Sequence, residues 1–195
     1  MNDFYTADIA GLKRNLPLFP LNANLRVALL NLLGDTELLT HVSGQLLRLL
    51  KIDQVDTFVA PATKGIVLGY ELARQSGKNW VILQKSQNFY AGKSISAQRE
   101  TPLTKREKKL YLYEQDRHFI ENKQIVLVDD VFTSGTTLEM MQDIVEEAGG
   151  TVLSRAVVCV EGDLTTRHDI LSLTHLPFFP NDLAARVARA TDGGT

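Results

Sequence analysis

The spacing of apolar residues along the chain changes character near residue 50. Before this point apolar residues recur at helical intervals, which predicts helices over 25–33 and 36–50, with Asp35 or Thr36 as the cap of the second. The first 24 residues contain Pro17 and Pro20 and are predicted to be irregular. Beyond residue 50, short aliphatic runs alternate with amphipathic segments, which indicates a different architecture.

Strands and helices alternate through the rest of the chain. The aliphatic runs predict strands over 55–60, 80–84, 125–128 and 152–160. The segments 66–75 and 137–148 have helical spacing, and glycines follow both of them. Because parallel strands are joined by crossover helices, this order predicts an α/β fold with a mostly parallel twisted sheet flanked by helices. No repeat or linker-like stretch interrupts the pattern, which predicts a single domain over 1–195.

A long polar segment follows the second predicted strand of this alternating part. Residues 86–110 contain few apolar side chains and end in a run of charged residues at 105–109. Loops of this length in compact domains are either solvated excursions or lids over a site. We expect a lid if the segment lies beside candidate site residues.

Composition narrows the class of protein. Lys and Arg (21) nearly balance Asp and Glu (23), and the net charge of −2 provides no broad basic surface for a nucleic acid. No apolar run approaches the roughly 20 residues that a membrane-spanning helix needs, and the first residues do not resemble a signal peptide. The one cysteine, Cys159, cannot form an internal disulfide. We expect a soluble, cytoplasmic protein that binds neither nucleic acid nor membrane.

The segment 125–137 carries the candidate chemistry. Four aliphatic residues precede Asp129 and Asp130, which we expect to emerge at the carboxyl end of a buried strand, where ligands bind in open parallel sheets. Two adjacent acids there cost free energy unless sugar hydroxyls or a metal ion offset their repulsion. The residues that then open a helix suit a phosphate group, and they are Thr133, Ser134, Gly135, Thr136 and Thr137. The segment predicts a sugar-phosphate site.

This segment resembles the 5-phosphoribosyl-1-pyrophosphate (PRPP) signature of the type I phosphoribosyltransferases. The resemblance implies that Asp129 and Asp130 bind the ribose hydroxyls and that residues 133–137 bind the 5-phosphate. Residues 86–110 correspond to the family's flexible loop, which closes over the site. The pyrophosphate-binding residues that the resemblance implies are Thr63, Lys64, Gly65, Lys85 and Arg99.

The two ends of the chain resemble the adenine branch of this family. Leu176-Pro177-Phe178-Phe179 looks like the ending of that branch, and Phe19-Pro20 followed by two predicted helices looks like its start. The resemblance implies a type I phosphoribosyltransferase fold with a small hood built from residues 1–50 and 161–195. Phe178 and Phe179 either stack on a base or pack in the core or in a dimer contact.

The resemblance implies a reaction in nucleotide salvage, in which the 5-phosphoribosyl group of PRPP passes to a purine, adenine by this likeness, and pyrophosphate is released. Asp129, Asp130 and Lys85 are its implied catalytic residues. Mg²⁺ is the implied cofactor, bound mainly through PRPP oxygens and water and also by the two acids. A homodimer is implied, because relatives bring the residue at the Lys85 position across a subunit interface. Two alternatives stay open, a PRPP-binding regulatory protein with little turnover and a phosphoribosyltransferase for another base such as xanthine or orotate.

Overall fold

The computed structural model of the protein describes residues 3–88, 92–103, 105–162 and 169–181. In chain order its elements are β1 (Phe4–Ile9), β2 (Leu12–Pro20), β3 (Leu25–Ala28), α1 (Thr36–Leu49), β4 (Thr57–Pro61), α2 (Gly65–Ser76), β5 (Asn79–Leu83), β6 (Ser94–Glu100), β7 (Glu107–Tyr113), β8 (Gln124–Phe132), α3 (Thr136–Glu147), β9 (Thr151–Glu161), β10 (Ile170–Leu176) and β11 (Phe179–Pro180). Short 3₁₀ helices at Ile52–Gln54 and Glu114–Phe119 precede β4 and β8.

A parallel sheet with the strand order β10-β9-β8-β4-β5 forms the centre of the described chain. Its middle strand, β8, is aliphatic on both faces. Val126 and Val128 pack into the core shared with α1 and α2, whereas Ile125 and Leu127 pack into the core under α3. Successive side chains of a strand point to opposite faces, so a continuous aliphatic run requires cover on both sides. The arrangement confirms the predicted α/β fold.

The helices of this sheet lie where the sequence predicts them. α1 begins after Asp35, whose carboxylate accepts a hydrogen bond from the backbone N–H of Leu38 and forms a salt bridge of 2.7 Å with Arg14. α2 ends at Gly77, which adopts a left-handed conformation with φ of 71°. Within the described ranges, no helix is both long and apolar enough to cross a membrane.

The predictions for the first 33 residues are wrong. β1, β2 and β3 pair antiparallel, and β11 joins β3, which gives a second sheet with the order β1-β2-β3-β11. We call this second sheet the hood. Pro17 pairs with Phe4, the first residue of β1, and Pro20 is the last residue of β2, so both prolines lie near the ends of the ladder.

The leucines of residues 25–33 explain why a helix is predicted where the chain is extended. Leu30 and Leu32 are buried, whereas Leu29 and Leu33 are 36% and 44% exposed. This alternation is that of an extended chain. In so short a segment the same leucines also stand at helical intervals, and periodicity alone does not separate the two structures.

Residues 94–113 form a hairpin where an irregular loop is predicted over 86–110, and that prediction is wrong for β6 and the start of β7. The two strands pair antiparallel. The apolar side chains of the hairpin pack into the core under α3, and they are Ile95, Ala97, Leu110 and Leu112. Polar residues alternate with them, so the composition conceals a pattern of period two. Residues 89–91 and 104 of the predicted loop lie outside the described residues.

An ion pair on α2 makes the stability of the protein depend on acid pH. Glu71 is buried, and hydrogen bonds from Arg74 and, to a smaller extent, Gln75 lower its pKa from the ordinary 4.5 to about 2. A carboxylate with a depressed pKa stabilises the fold above its unfolded pKa, and this contribution disappears as the pH falls through the folded value. We therefore expect Glu71→Gln to lower the melting temperature at pH 7, with the difference from the wild type shrinking between about pH 4.5 and pH 2.

The exposed pair Arg117–Glu121 provides the matched control for this prediction. Its atoms are 3.6 Å apart and Glu121 is half exposed, and exposed ion pairs contribute only about 0–1 kcal/mol. Glu121→Gln should leave the melting temperature nearly unchanged across the same pH range. A Glu71→Gln variant that also melts like the wild type at pH 7 would contradict the assignment.

Candidate functional site

A cavity of about 460 Å³ opens at the carboxyl ends of β4 and β8. Its volume lies within the ~300–1,000 Å³ that small-molecule sites occupy. The lining combines acids, lysines and two threonines from five parts of the chain, and comprises Pro61, Ala62, Thr63, Lys64, Gly65, Lys85, Glu107, Lys108, Lys109, Leu110, Asp129, Asp130, Val131, Thr137 and Met140. The structure therefore brings together the two acids of β8, the lysines and the start of α3, which the sequence singles out separately.

Asp129 and Asp130 lie inside β8 and not beyond its end, which corrects the predicted strand end at residue 128. The strand continues because β9 pairs with it as far as Phe132. Both acids are buried. Asp129 Oδ1 accepts a hydrogen bond of 2.9 Å from the backbone N–H of Asp130, and Asp130 Oδ1 accepts one of 3.0 Å from Val131. Each carboxylate is therefore fixed by the backbone through one oxygen.

The second oxygen of Asp130 marks where a ligand would contact this strand. Asp130 Oδ2 is buried and has no hydrogen-bond partner among the described residues, and the nearest cation, Lys64 Nζ, lies 4.0 Å away. Burial and the neighbouring Asp130 carboxylate raise the pKa of Asp129 well above its usual range. Ionising Asp129 in the unliganded protein is thus unfavourable, and donors such as sugar hydroxyls would relieve the cost.

The hydroxyl residues after β8 form the start of α3. Gly135, with φ of 84°, stands at the N-cap position, and the Ser134 and Thr136 hydroxyls are 2.9 Å apart. A smaller cavity of about 40 Å³ adjoins this turn, and it is lined by Lys108, Asp129, Val131, Phe132, Thr133, Ser134, Gly135, Thr137 and Leu138. Unpaired N–H groups of a first helical turn attract anions, so this turn suits a phosphate.

The loop between β4 and α2 places Thr63, Lys64 and Gly65 in the lining of the larger cavity. Lys64 Nζ donates a hydrogen bond of 3.3 Å to the carbonyl oxygen of Leu30, which ties the loop to the segment after β3. A Cβ on Gly65 would lie 2.7 Å from Cδ of Pro61, so the turn into α2 requires glycine. Lys85, two residues after β5, lines the same cavity.

Two predicted site residues, Arg99 and Thr136, line neither cavity. The Arg99 guanidinium pairs with Asp143 on α3 at 2.5 Å. Lys108 and Lys109 occupy the cavity wall instead, although the sequence marks them only as part of a charged run. The missed signal is the alternation of β7, because stepping back by two from the buried Leu112 and Leu110 reaches Lys108.

Glu161, at the end of β9, is a third residue that sequence reasoning missed. It is buried, and its Oε2 accepts a hydrogen bond of 2.7 Å from the Thr133 hydroxyl. Burial, together with the charge of Asp130, raises its pKa, while the Thr133 hydrogen bond opposes the shift. An acid directly after the apolar run 156–160 is the available signal, the same one that Asp129 gives after 125–128.

The two phenylalanines near residue 180 have different surroundings. Phe179 packs against Tyr5 in the hood, with ring centroids 5.0 Å apart. Of the alternatives predicted for this residue, the structure therefore shows packing in the core. Phe178 lies over Gly162, where a Cβ would come within 2.5 Å of its ring. Residues 163–168 and 182–195, which belong to the predicted hood, lie outside the described residues.

Residues 36–179 match the family model of the phosphoribosyl transferase domain. The chain belongs to the phosphoribosyl transferase family. The matched range contains β4, β8, α3 and the whole lining of both cavities. The phosphoribosyltransferase fold of type I, with a hood of antiparallel strands, is therefore the architecture of this chain.

Individual phosphoribosyltransferases are similar to it in sequence and structure. The adenine phosphoribosyltransferase of Clostridium botulinum (strain Eklund 17B / Type B) is 30% identical over 148 residues, which cover 73% of this chain and 83% of the relative. The crystal structure of adenine phosphoribosyltransferase from Thermoanaerobacter pseudethanolicus is 26% identical with a TM-score of 0.62, over 73% of this chain and 83% of that one. The enzyme from Rhodothermus marinus shares the fold, with 19% identity, a TM-score of 0.64 and coverage of 89% and 94%. The predicted resemblance to adenine phosphoribosyltransferases is confirmed.

The carboxylates of this phosphoribosyltransferase fit a magnesium ion only as partial ligands. Within the described ranges, no group of three or more His, Cys, Asp or Glu residues could hold a metal ion. The free Oδ2 of Asp130 is a hard oxygen donor, and Mg²⁺ commonly keeps several waters and binds one or two carboxylates together with substrate phosphates. The site therefore fits a Mg²⁺ ion that arrives with a phosphorylated ligand.

Proposed function

We propose that this phosphoribosyltransferase transfers the 5-phosphoribosyl group of PRPP to adenine, releases pyrophosphate, and serves nucleotide salvage. The observation that carries the proposal is the shared cavity, in which two buried acids, the start of a helix and several lysines converge. This arrangement suits a sugar that bears a phosphate at one end and pyrophosphate at the other, with the sugar at the acids, the phosphate at the helix start and the pyrophosphate at the lysines. The choice of adenine rests on those relatives that are adenine phosphoribosyltransferases, at 30% identity and below.

Each part of the cavity has a role in this proposal. The carboxylates of Asp129 and Asp130 accept hydrogen bonds from the ribose hydroxyls, and the turn 133–137 receives the 5-phosphate. Thr63, Lys64 and Gly65, together with Lys85, receive the pyrophosphate. Arg99 is given no role in this proposal, since its guanidinium pairs with Asp143 and lines neither cavity.

The chemical step requires no nucleophile from the protein. A ring nitrogen of the base attacks C1 of the ribose, the bond from C1 to the pyrophosphate oxygen breaks with its electron pair leaving on pyrophosphate, and positive charge develops on the sugar ring. The proton of the attacking nitrogen passes to the departing pyrophosphate or to water. Asp129 and Asp130 stabilise the ring, while Lys64 and Lys85 neutralise the leaving group, so that catalysis is positioning and electrostatics. Mg²⁺ bound to PRPP would screen the pyrophosphate charge further. The hairpin β6–β7 walls the cavity and excludes water that would otherwise hydrolyse PRPP.

Pyrophosphate release from Mg²⁺–PRPP with a panel of bases tests the proposal. Adenine, hypoxanthine, guanine, xanthine, orotate and uracil are offered separately, and release with adenine should exceed release with the others by at least about tenfold, a difference of ~1.4 kcal/mol in the barrier. Release with xanthine or orotate instead would overturn the assignment of the base. Binding of PRPP without release for any base would indicate a regulatory protein.

The proposal includes a single-domain, cytoplasmic homodimer. Tyr70 on α2 and Trp80 on β5 are 49% and 36% exposed and contact each other edge to face, with ring centroids 5.7 Å apart. β5 is an edge strand of the central sheet and leads to Lys85. A second copy packed against β5 would therefore lie next to Lys85, one of the residues proposed to bind pyrophosphate. Light scattering at assay concentration should give twice the mass of 21.7 kDa, and a monomer mass would rule the dimer out.

A further inference from the structure

The hairpin β6–β7 contacts α3 through two neighbouring cations. Arg99 and Lys108 are partners in the antiparallel register. Arg99 pairs with Asp143 of α3, and Lys108 Nζ donates a hydrogen bond of 3.1 Å to the Thr137 hydroxyl at the start of the same helix. The first contact anchors the hairpin on the middle of α3, and the second brings a positive charge to the turn 133–137.

Lys108 stands at the junction of the two cavities. It lines both the larger cavity of about 460 Å³ and the smaller one of about 40 Å³. Among the described residues that line the smaller cavity, Lys108 is the only cation, and Asp129 is an anion. A phosphate placed there would lie beside Asp129, and the ionised form of this carboxylate would repel it strongly. Backbone N–H groups and hydroxyls supply only partial positive charge, so a full cation is needed to offset this repulsion.

The hydrogen bond between Lys108 and Thr137 also prepares the hydroxyl as a donor. An ammonium group has only protons to give, so the Thr137 oxygen accepts, and the hydroxyl proton remains free to be donated to a phosphate oxygen. Lys108 thus acts on the turn in two ways, by its charge and by the orientation of Thr137.

We propose that Lys108 is a binding residue for the 5-phosphate of the ligand, and that occupancy of the turn 133–137 thereby holds the hairpin β6–β7 closed. The inference rests on the proposed function, because it takes a sugar 5-phosphate as the occupant of the smaller cavity. It adds a cation from the hairpin to a phosphate site that is otherwise built from β8 and α3. The pyrophosphate keeps its own lysines, Lys64 and Lys85.

Calorimetric titration with two separate probes tests the proposal. Ribose 5-phosphate should bind Lys108→Met roughly ten- to hundredfold more weakly than the wild type, which is the range for one hydrogen bond to a charged group. Pyrophosphate should bind both proteins within about twofold, and Lys108→Arg should restore most of the affinity for ribose 5-phosphate. Lys105→Met is the matched control, because Lys105 is on the same hairpin but pairs with Glu100 outside both cavities.

Amide hydrogen exchange tests the coupling to the hairpin. Ribose 5-phosphate should slow exchange in Leu110–Tyr113 of the wild type and of Lys105→Met, but not in Lys108→Met at matched occupancy. Equal protection in Lys108→Met would overturn the coupling, and equal affinity for ribose 5-phosphate, or an equal loss for both probes, would overturn the 5-phosphate assignment. A wild-type protein that binds neither probe would overturn the proposed function as well, so the two failures are distinguishable.

Discussion

We expect the double variant Asp129→Asn/Asp130→Asn to lose PRPP binding and to melt at a higher temperature than the wild type. Two charged acceptors for ribose hydroxyls disappear, each worth about 1.5–3 kcal/mol, so affinity should fall by roughly 10²- to 10⁴-fold. Stability should rise for the opposite reason. The fold favours protonated Asp129, and this contribution is lost as the pH rises through its raised pKa. Asparagine resembles the protonated acid and retains the contribution at neutral pH.

Calorimetry with Mg²⁺–PRPP and thermal unfolding of the unliganded protein measure the two effects. Asp53→Asn is the control, since Asp53 is exposed in the 3₁₀ turn before β4. It therefore lies near the amino end of this strand, whereas the site lies at the carboxyl ends. It should change neither quantity. Unchanged PRPP affinity in the double variant would refute the ribose site, whereas a lower melting temperature would refute the account of the buried charges.

The second large effect is expected for Gly135→Val. Gly135 has a φ of 84°, which costs a residue with a side chain about 1–2 kcal/mol. Its Cβ would also lie 3.1–3.2 Å from ring atoms of Phe132, which is buried. With about 1–3 kcal/mol for overpacking, we expect a loss of roughly 2–5 kcal/mol in the free energy of unfolding. Because the turn 133–137 must shift, PRPP binding should weaken by at least about tenfold.

Gly77→Val separates the two causes. Gly77, at the end of α2, is also in the left-handed region, with φ of 71°, but nothing lies within 4 Å of the position that its Cβ would take. Urea denaturation should show only the backbone cost of about 1–2 kcal/mol, and PRPP affinity should not change. If Gly77→Val and Gly135→Val lose the same stability and bind PRPP equally well, the turn 133–137 does not contact the ligand.

The central sheet and the heart of the site follow from local sequence. Residues 125–128 are aliphatic without interruption, which is typical of a strand covered on both faces or of a short buried helix, and the shortness of the run and its β-branched residues favour the strand. The turn into α3 follows from Gly135 among hydroxyl residues. In these segments the information lies within about a dozen neighbouring positions.

The hood and two site residues depend on contacts that are distant in sequence. Leu25–Ala28 is extended because β2 and β11 pair with it on either side, and no local pattern predicts β11 as a partner. Glu161 reaches Thr133 because β9 lies beside β8, and Lys108 reaches Thr137 because the hairpin folds onto α3. The ion pair of Arg99 is also distant in sequence, since its partner Asp143 is 44 residues away along the chain.

The pairing of β3 with β11 orders events during synthesis of the protein. β1 and β2 are joined by a tight turn and can pair as soon as they leave the ribosome, but Phe179 and Pro180 must be made before β3 has its second neighbour. Until then one edge of β3 presents unpaired N–H and C=O groups, which is a hazard for association with other nascent chains. The backbone N–H of Asn181 donates to the carbonyl of Asn24, so the last residues described secure some of the first. Residues 179–181 must therefore be synthesised before the hood can close. A ribosome that stalls earlier leaves one edge of β3 exposed.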